Sequence, residues 1–108
     1  MATSVSLDRA VIRIEQGKLV VRGSFSPNDK DRYSNALFNY LSKGLDEYVI
    51  DLSTLDEIDK PFVDVTVSFA QFASQGWSRV MVLASRMVAR QFRLANFEEF
   101  GRCRVVRN

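Results

Sequence analysis

Hydrophobic and polar residues alternate along this chain with two periods, and the changes between them mark out its elements. Residues 11–16 and 19–25 are short, β-branched-rich runs joined by Gly17-Lys18. A two-residue loop with glycine first predicts a hairpin with a type II′ turn. Residues 1–10 carry no periodic signal and read as an N-terminal arm ahead of one domain over 11–108. Ser26-Pro27-Asn28-Asp29 is a turn and helix-start cluster. Behind it, Tyr33, Leu37, Phe38 and Leu41 recur at helical spacing, with Lys43 in the last turn and Gly44 as terminator. The apolar runs within 47–53 and 79–84 predict strands covered on both faces. Ser85 is placed to cap a third helix that turns Val88, Phe92 and Ala95 inward and sets Arg86, Arg90 and Arg93 on one face. Residues 102–106 alternate arginine with Cys103 and Val105, which suits a final strand with one wet face at a sheet edge.

Residues 60–76 read two ways. As a strand, Val63, Val65, Val67 and Phe69 would face one side and Asp64, Thr66 and Ser68 the other. As a helix, Asp64, Ser68, Gln71 and Gln75 form one polar stripe, and Phe62, Val65, Phe69, Phe72 and Ala73 form an apolar one. Asp59 then stands at the N-cap, Pro61 in the first turn and Gly76 at the end. Sixteen or so residues exceed an ordinary strand, and β-branched side chains cost a helix only a few tenths of a kcal/mol each, so the pattern predicts a helix. Its flank of Val63, Val67 and Ala70 is covered either by the rest of the domain or by a partner.

Composition narrows the chemistry. The 108 residues suffice for one domain. The formal charge of +2 names no partner, but its distribution is uneven: residues 1–76 hold 8 Lys/Arg against 11 Asp/Glu, and residues 77–108 hold 7 Arg against 2 Glu. There is no histidine, which removes histidine acid–base catalysis, the usual nucleophile triads and most zinc or iron sites. No enzyme, no metal and no cofactor are expected. Acidic pairs such as Asp56/Asp59 have no nucleophile and base to work with. Cys103, the single cysteine, lies between two arginines that would lower its thiol pKa; a small core residue on an edge strand is the better reading. One cysteine and no long apolar run predict a cytoplasmic protein without membrane insertion. Arg79, Arg86, Arg90, Arg93, Arg102, Arg104 and Arg107 raise the class of nucleic-acid or anionic-lipid binding. Aromatic residues are not interleaved with them in an RNA-binding pattern, so nucleic acid is not the expected partner.

In this order the elements resemble the STAS domain, shared by sulfate transporters and anti-sigma factor antagonists, over roughly residues 11–106. Leu19-Val20-Val21-Arg22-Gly23 looks like the family's second strand with its glycine, and Asp51-Leu52-Ser53-Thr54-Leu55-Asp56-Glu57-Ile58-Asp59 is similar to its DLS-x-V-x-x-I-D segment. Ser85 to Phe97 is similar to its last major helix, with Asn96-Phe97 where Gly-Leu is common; asparagine tolerates the left-handed conformation that glycine would supply. The resemblance implies a single α/β domain ordered β-β-α-β-α-β-α-β, a mixed sheet with its helices packed mainly on one side.

The resemblance also implies a function. In members that act as switches, a serine just after the position of Asp59 accepts phosphate from a kinase that is also an anti-sigma factor, and the added charge changes which partner is held. Here Lys60, Pro61 and Phe62 follow Asp59, and none has a hydroxyl. The expected role is therefore a protein-binding regulatory module, not switched by phosphate at that place. Its contact surface is expected to comprise Asp56, Glu57, Asp59, Lys60, Pro61, Phe62, Val63 and Asp64, with the neighbouring loop 24–31. Ser53, Thr54, Thr66 and Ser68 are the remaining hydroxyls at which phosphorylation could act. Partners implied are an anti-sigma factor or kinase-like protein, a sensor, or a transporter component, as in cytoplasmic STAS subunits of lipid-transport complexes. The oppositely charged parts of the chain also leave room for a homodimer.

Overall fold

The computed structural model describes residues 4–107. Six strands and three helices follow one another: β1 (Ser4–Ser6), β2 (Arg9–Glu15), β3 (Lys18–Ser24), α1 (Lys30–Leu41), β4 (Glu47–Leu52), α2 (Lys60–Gln75), β5 (Arg79–Ala84), α3 (Arg86–Leu94) and β6 (Cys103–Arg107). Short 3-10 turns at Pro27–Asp29 and Phe97–Phe100 precede α1 and β6.

The strands lie side by side in chain order, antiparallel from β1 to β3 and parallel from β3 to β6. That order decides where the helices go. Parallel crossovers are right-handed, and three successive ones each step one strand in the same direction. All three helices therefore land on one face of the sheet. Ile12, Leu19, Val21, Ile50 and Val82 of that face close the core against Tyr33 and Leu37 of α1, Phe62 and Phe69 of α2, and Val88 and Phe92 of α3. The architecture is the mixed-sheet α/β domain expected from the sequence.

Several local expectations change. Strands β4 and β5 bury one face only: Tyr48, Ile50, Leu52, Val80, Val82 and Ala84 are buried, while Val49, Met81 and Leu83 on the other face are half-buried. An apolar run signals two covered faces only when helices cross to both sides, and this strand order forbids it. The first three residues of the expected arm lie outside the described residues; the rest of it is structured. Ser4–Ser6 pairs with β2, setting Val5 opposite Ile12, and β2 itself starts at Arg9. Three residues are too few to show a period. The hairpin turn falls one residue early, on Gln16 and Gly17, whose φ values of 52° and 78° are both positive, so it is type I′ instead of II′.

The segment read two ways is a helix, α2. Asp64, Ser68, Gln71 and Gln75 form its exposed stripe. The open question about its flank is answered from within the domain: Val63 and Ala70 are buried and Val67 packs on the core. Phe72 departs from the expected inner stripe. It is largely exposed and meets Phe38 of α1 edge-on at 5.6 Å.

Candidate functional site

The segment that leaves β4 and enters α2 is anchored from below and charged above. Asp51 Oδ1 accepts the Ser53 N–H, which starts the turn, and Thr54 Oγ1 donates to the Val21 carbonyl of β3 at 3.0 Å. Leu55 and Ile58 are buried in the core, so each is an apolar pin in an otherwise polar loop. The Ser85 hydroxyl, expected as a helix cap, instead donates to the Leu55 carbonyl at 2.7 Å and ties the start of α3 to this loop. With Leu55 and Ile58 directed inward, Asp56, Glu57, Asp59, Lys60, Pro61 and Asp64 are exposed together.

Of the eight expected contact residues these six are at the surface. Phe62 and Val63 are not: they are 1% and 3% exposed. The reason is the helical phase, since once Pro61 faces outward in the first turn the next two side chains rotate into the core. Phe62 has a different role there. Its ring stacks on Phe25 with centroids 4.1 Å apart and interplanar angle 10°, and lies 5.9 Å from the Tyr33 ring. Phe25 belongs to the loop before α1, so this stack fastens the two loops expected to form one surface. Asp29 fixes the second loop from inside, its buried carboxylate accepting the N–H groups of Ser26 at 2.9 Å and Asp8 at 3.1 Å. No role for Phe25, Leu55 or Ile58 in holding this surface was legible in the sequence. The usable signal was Leu55 and Ile58 themselves, apolar residues spaced by three within an acidic run.

Asp59 occupies the N-cap of α2 with extended backbone, and its carbonyl accepts the N–H groups of Phe62 and Val63. Its carboxylate makes no capping hydrogen bond, so it remains available to a partner. Lys60 Nζ pairs with Asp64 Oδ2 at 3.0 Å across one helical turn, both largely exposed. Such a pair contributes about 0.3–0.5 kcal/mol. The surface carries four carboxylates against one ammonium, and no hydroxyl at Lys60 or Pro61.

The nearby hydroxyls differ in access. Thr66 is fully buried, donating to the Phe62 carbonyl at 2.8 Å and sharing a hydrogen bond of 2.6 Å with the Tyr33 hydroxyl. A kinase cannot reach it in the folded protein, which corrects its place among candidate phosphoacceptors. Ser53 is half-buried, and Ser68 and Thr54 are exposed. Cys103 is buried beside Ser74, Sγ to Oγ 3.4 Å, and burial pushes its thiol pKa up, with the Ser74 hydrogen bond opposing. The arginines on either side in sequence point away from it, so the lowered pKa does not arise. No group of three metal-ligating side chains is gathered among the described residues.

Comparison with known proteins agrees with the fold. No family model and no curated protein matches the chain. Among solved structures it is similar to an anti-sigma factor antagonist from Mycobacterium paratuberculosis, with a TM-score of 0.68 at 14% identity, over 96% of this chain and 86% of that one. The STAS architecture implied by the sequence is thus the fold of this protein. Identity so low carries the fold and no site.

Proposed function

We propose that the protein is a non-enzymatic regulatory module that binds another protein through the surface formed by Asp56, Glu57, Asp59, Lys60, Pro61 and Asp64. The observation that carries this reading is the build of the loop: six exposed, mostly acidic residues held still by Leu55, Ile58 and the Phe25–Phe62 stack. A surface fixed before binding loses little freedom on binding, and its charge steers a basic patch toward it. The similar solved structure is that of an anti-sigma factor antagonist, which supports a regulatory partner of this kind. Lys60 and Pro61 argue against switching by phosphate at the corner.

The test is affinity capture from native cells with the wild type, Lys60→Glu, and an Asp56→Lys/Glu57→Lys double variant. Loss of the same basic partner from the charge-reversed double variant is expected; equal recovery from all three rejects the surface. A second reading is a constitutive docking subunit of a membrane transport or signalling complex. The corner without a hydroxyl favours it, because such a subunit needs no phosphate switch. Co-purification with an ATPase subunit separates it from a sigma-factor pathway. No helix among the described residues is long and apolar enough to cross a membrane.

A further inference from the structure

Trp77 is the most exposed large apolar side chain among the described residues, at 77%, and its φ of 68° lies in the left-handed region. It follows Gly76, the C-cap of α2, at a place where helices usually put glycine. A bulky side chain in that conformation is strained, and its exposure adds nothing to the core. The conformation itself closes α2, since the Trp77 N–H donates to the Ser74 carbonyl and the Ser78 N–H to the Ala73 carbonyl, each at 3.0 Å; that role is best filled by glycine and gives no reason for an exposed indole.

The surroundings say what the residue faces. The Arg102 guanidinium carbon lies 5.0 Å from the Trp77 ring centroid, and its Nη1 donates to the Trp77 carbonyl at 3.3 Å. Together they wall an open groove of about 860 Å³ that also includes Met81, Arg79, Arg104 and Glu47. Arg79 is loosely paired with Glu47 at 3.7 Å, while Arg104 makes no ion pair among the described residues. Met81 and Arg104 sit opposite each other on β5 and β6, on the face of the sheet that carries no helix. Tryptophan and arginine around an apolar floor are the residue types that dominate protein interfaces.

We propose that this groove is a second protein-docking site, which takes an acidic segment of a partner with one apolar side chain seated between Trp77 and Met81. Arg102 and Arg104 would receive the flanking carboxylates. The groove is concave, which suits a peptide better than a flat bilayer, and Glu47 at its wall opposes a continuous phosphate backbone. A second copy's equivalent groove would bring arginine against arginine. Trp77, Arg79 and Arg102 lie at the amino ends of the parallel strands β5 and β6, whereas loop 56–62 follows the carboxyl end of β4. The two surfaces are therefore at opposite ends of the sheet and can be filled at once, so the proposal stands apart from the reading of the acidic loop.

Trp77 is the only tryptophan, so its emission reports the groove alone. The full chain is titrated with a peptide of about 12 residues, long enough to cross the groove, in which one leucine is flanked by aspartate and glutamate. Parallel titrations use the same peptide with glutamine for each acid, an oligothymidylate, and phosphatidylcholine vesicles with and without phosphatidylglycerol. Expected is a saturable shift of Trp77 emission with the acidic peptide alone, weakened at least about tenfold by Arg102→Glu/Arg104→Glu. A Trp77→Gly variant, followed by calorimetric titration, loses binding while its Tm stays within about 4 °C of the parent or rises, since glycine accepts the backbone conformation. The proposal is overturned if the acidic peptide gives no shift, or if the glutamine peptide, oligothymidylate or vesicles bind as well or better. It is equally overturned if Trp77→Gly binds normally or loses more than that margin of Tm, because the side chain is then structural.

Discussion

Phe62 and Lys60 are two residues apart and have opposite fates. Truncating Phe62 empties a site ringed by Phe25 and Tyr33, so Phe62→Ala is expected to cost about 3–5 kcal/mol of stability. Lys60→Glu disturbs only an exposed pair and is expected to stay within about 0.5 kcal/mol. Urea denaturation of the two variants measures both. It also decides which is usable in a binding assay, since loss of a partner by Phe62→Ala would report unfolding. Gly23 makes a sharper case. A Cβ there would stand 2.3 Å from the Arg9 carbonyl oxygen and 2.7 Å from the Ala10 Cα, at a φ of +114°. The clash is with backbone on the paired strand β2, which cannot swing aside. Gly23→Ala is expected to lose at least about 2 kcal/mol or fail to fold, read as a lower urea midpoint or as insoluble protein. This glycine was visible in the sequence as part of the STAS resemblance; the reason for it, the close approach of Arg9, was not.

Among the elements, α2 bears most on function. Its local sequence, with valines at 63, 65 and 67, favours a strand, and packing overrides that preference because the longer pattern puts Phe62, Phe69 and Ala73 on one buried side. The polar stripe of Asp64, Ser68, Gln71 and Gln75 was legible because it runs for three turns. The start of the helix was legible in position but not in bonding. Asp59 sits at the N-cap without a side-chain hydrogen bond, so Asp59→Ala is expected to cost no more than about 0.5 kcal/mol, against about 1 for a bonded cap. Thermal denaturation checks it, and a larger loss would return Asp59 to a structural role. Asn96 met its expectation, adopting the left-handed conformation at φ 58° after α3. The edge of β6 shows a feature that the sequence did not signal: Glu98 accepts the Val105 N–H at 3.3 Å, which occupies a free edge donor where a stray strand would pair.

For the whole molecule, alkaline pH is the clearest lever. Burial raises the phenol pKa of Tyr33 well above its ordinary value, opposed by the Thr66 hydrogen bond. Burial raises that of Tyr40 as well, against the hydrogen bond from Val49, and the Cys103 thiol shifts the same way. In each case the folded state holds a proton that the unfolded state releases more readily. The stability these groups contribute is whole below their unfolded values, about 9 for the thiol and 10 for the phenols, and falls as pH rises toward the folded ones. Urea midpoints are expected to decline from about pH 9 upward. A midpoint that holds level to pH 11 would contradict the burial of these groups. At this scale the order of elements from β2 onward, the polar stripe of α2 and the missing hydroxyl at the corner could be read from spacing along one chain, whereas the three-residue β1 and the outward turn of Phe72 could not. It took the packed fold to show that Phe62 lies beneath the acidic surface, that Thr66 is sealed beside Tyr33, and that Trp77 meets Arg102. Each of these depends on side chains 25 or more residues apart, and it is the sequential strand order with right-handed crossovers that brings them together.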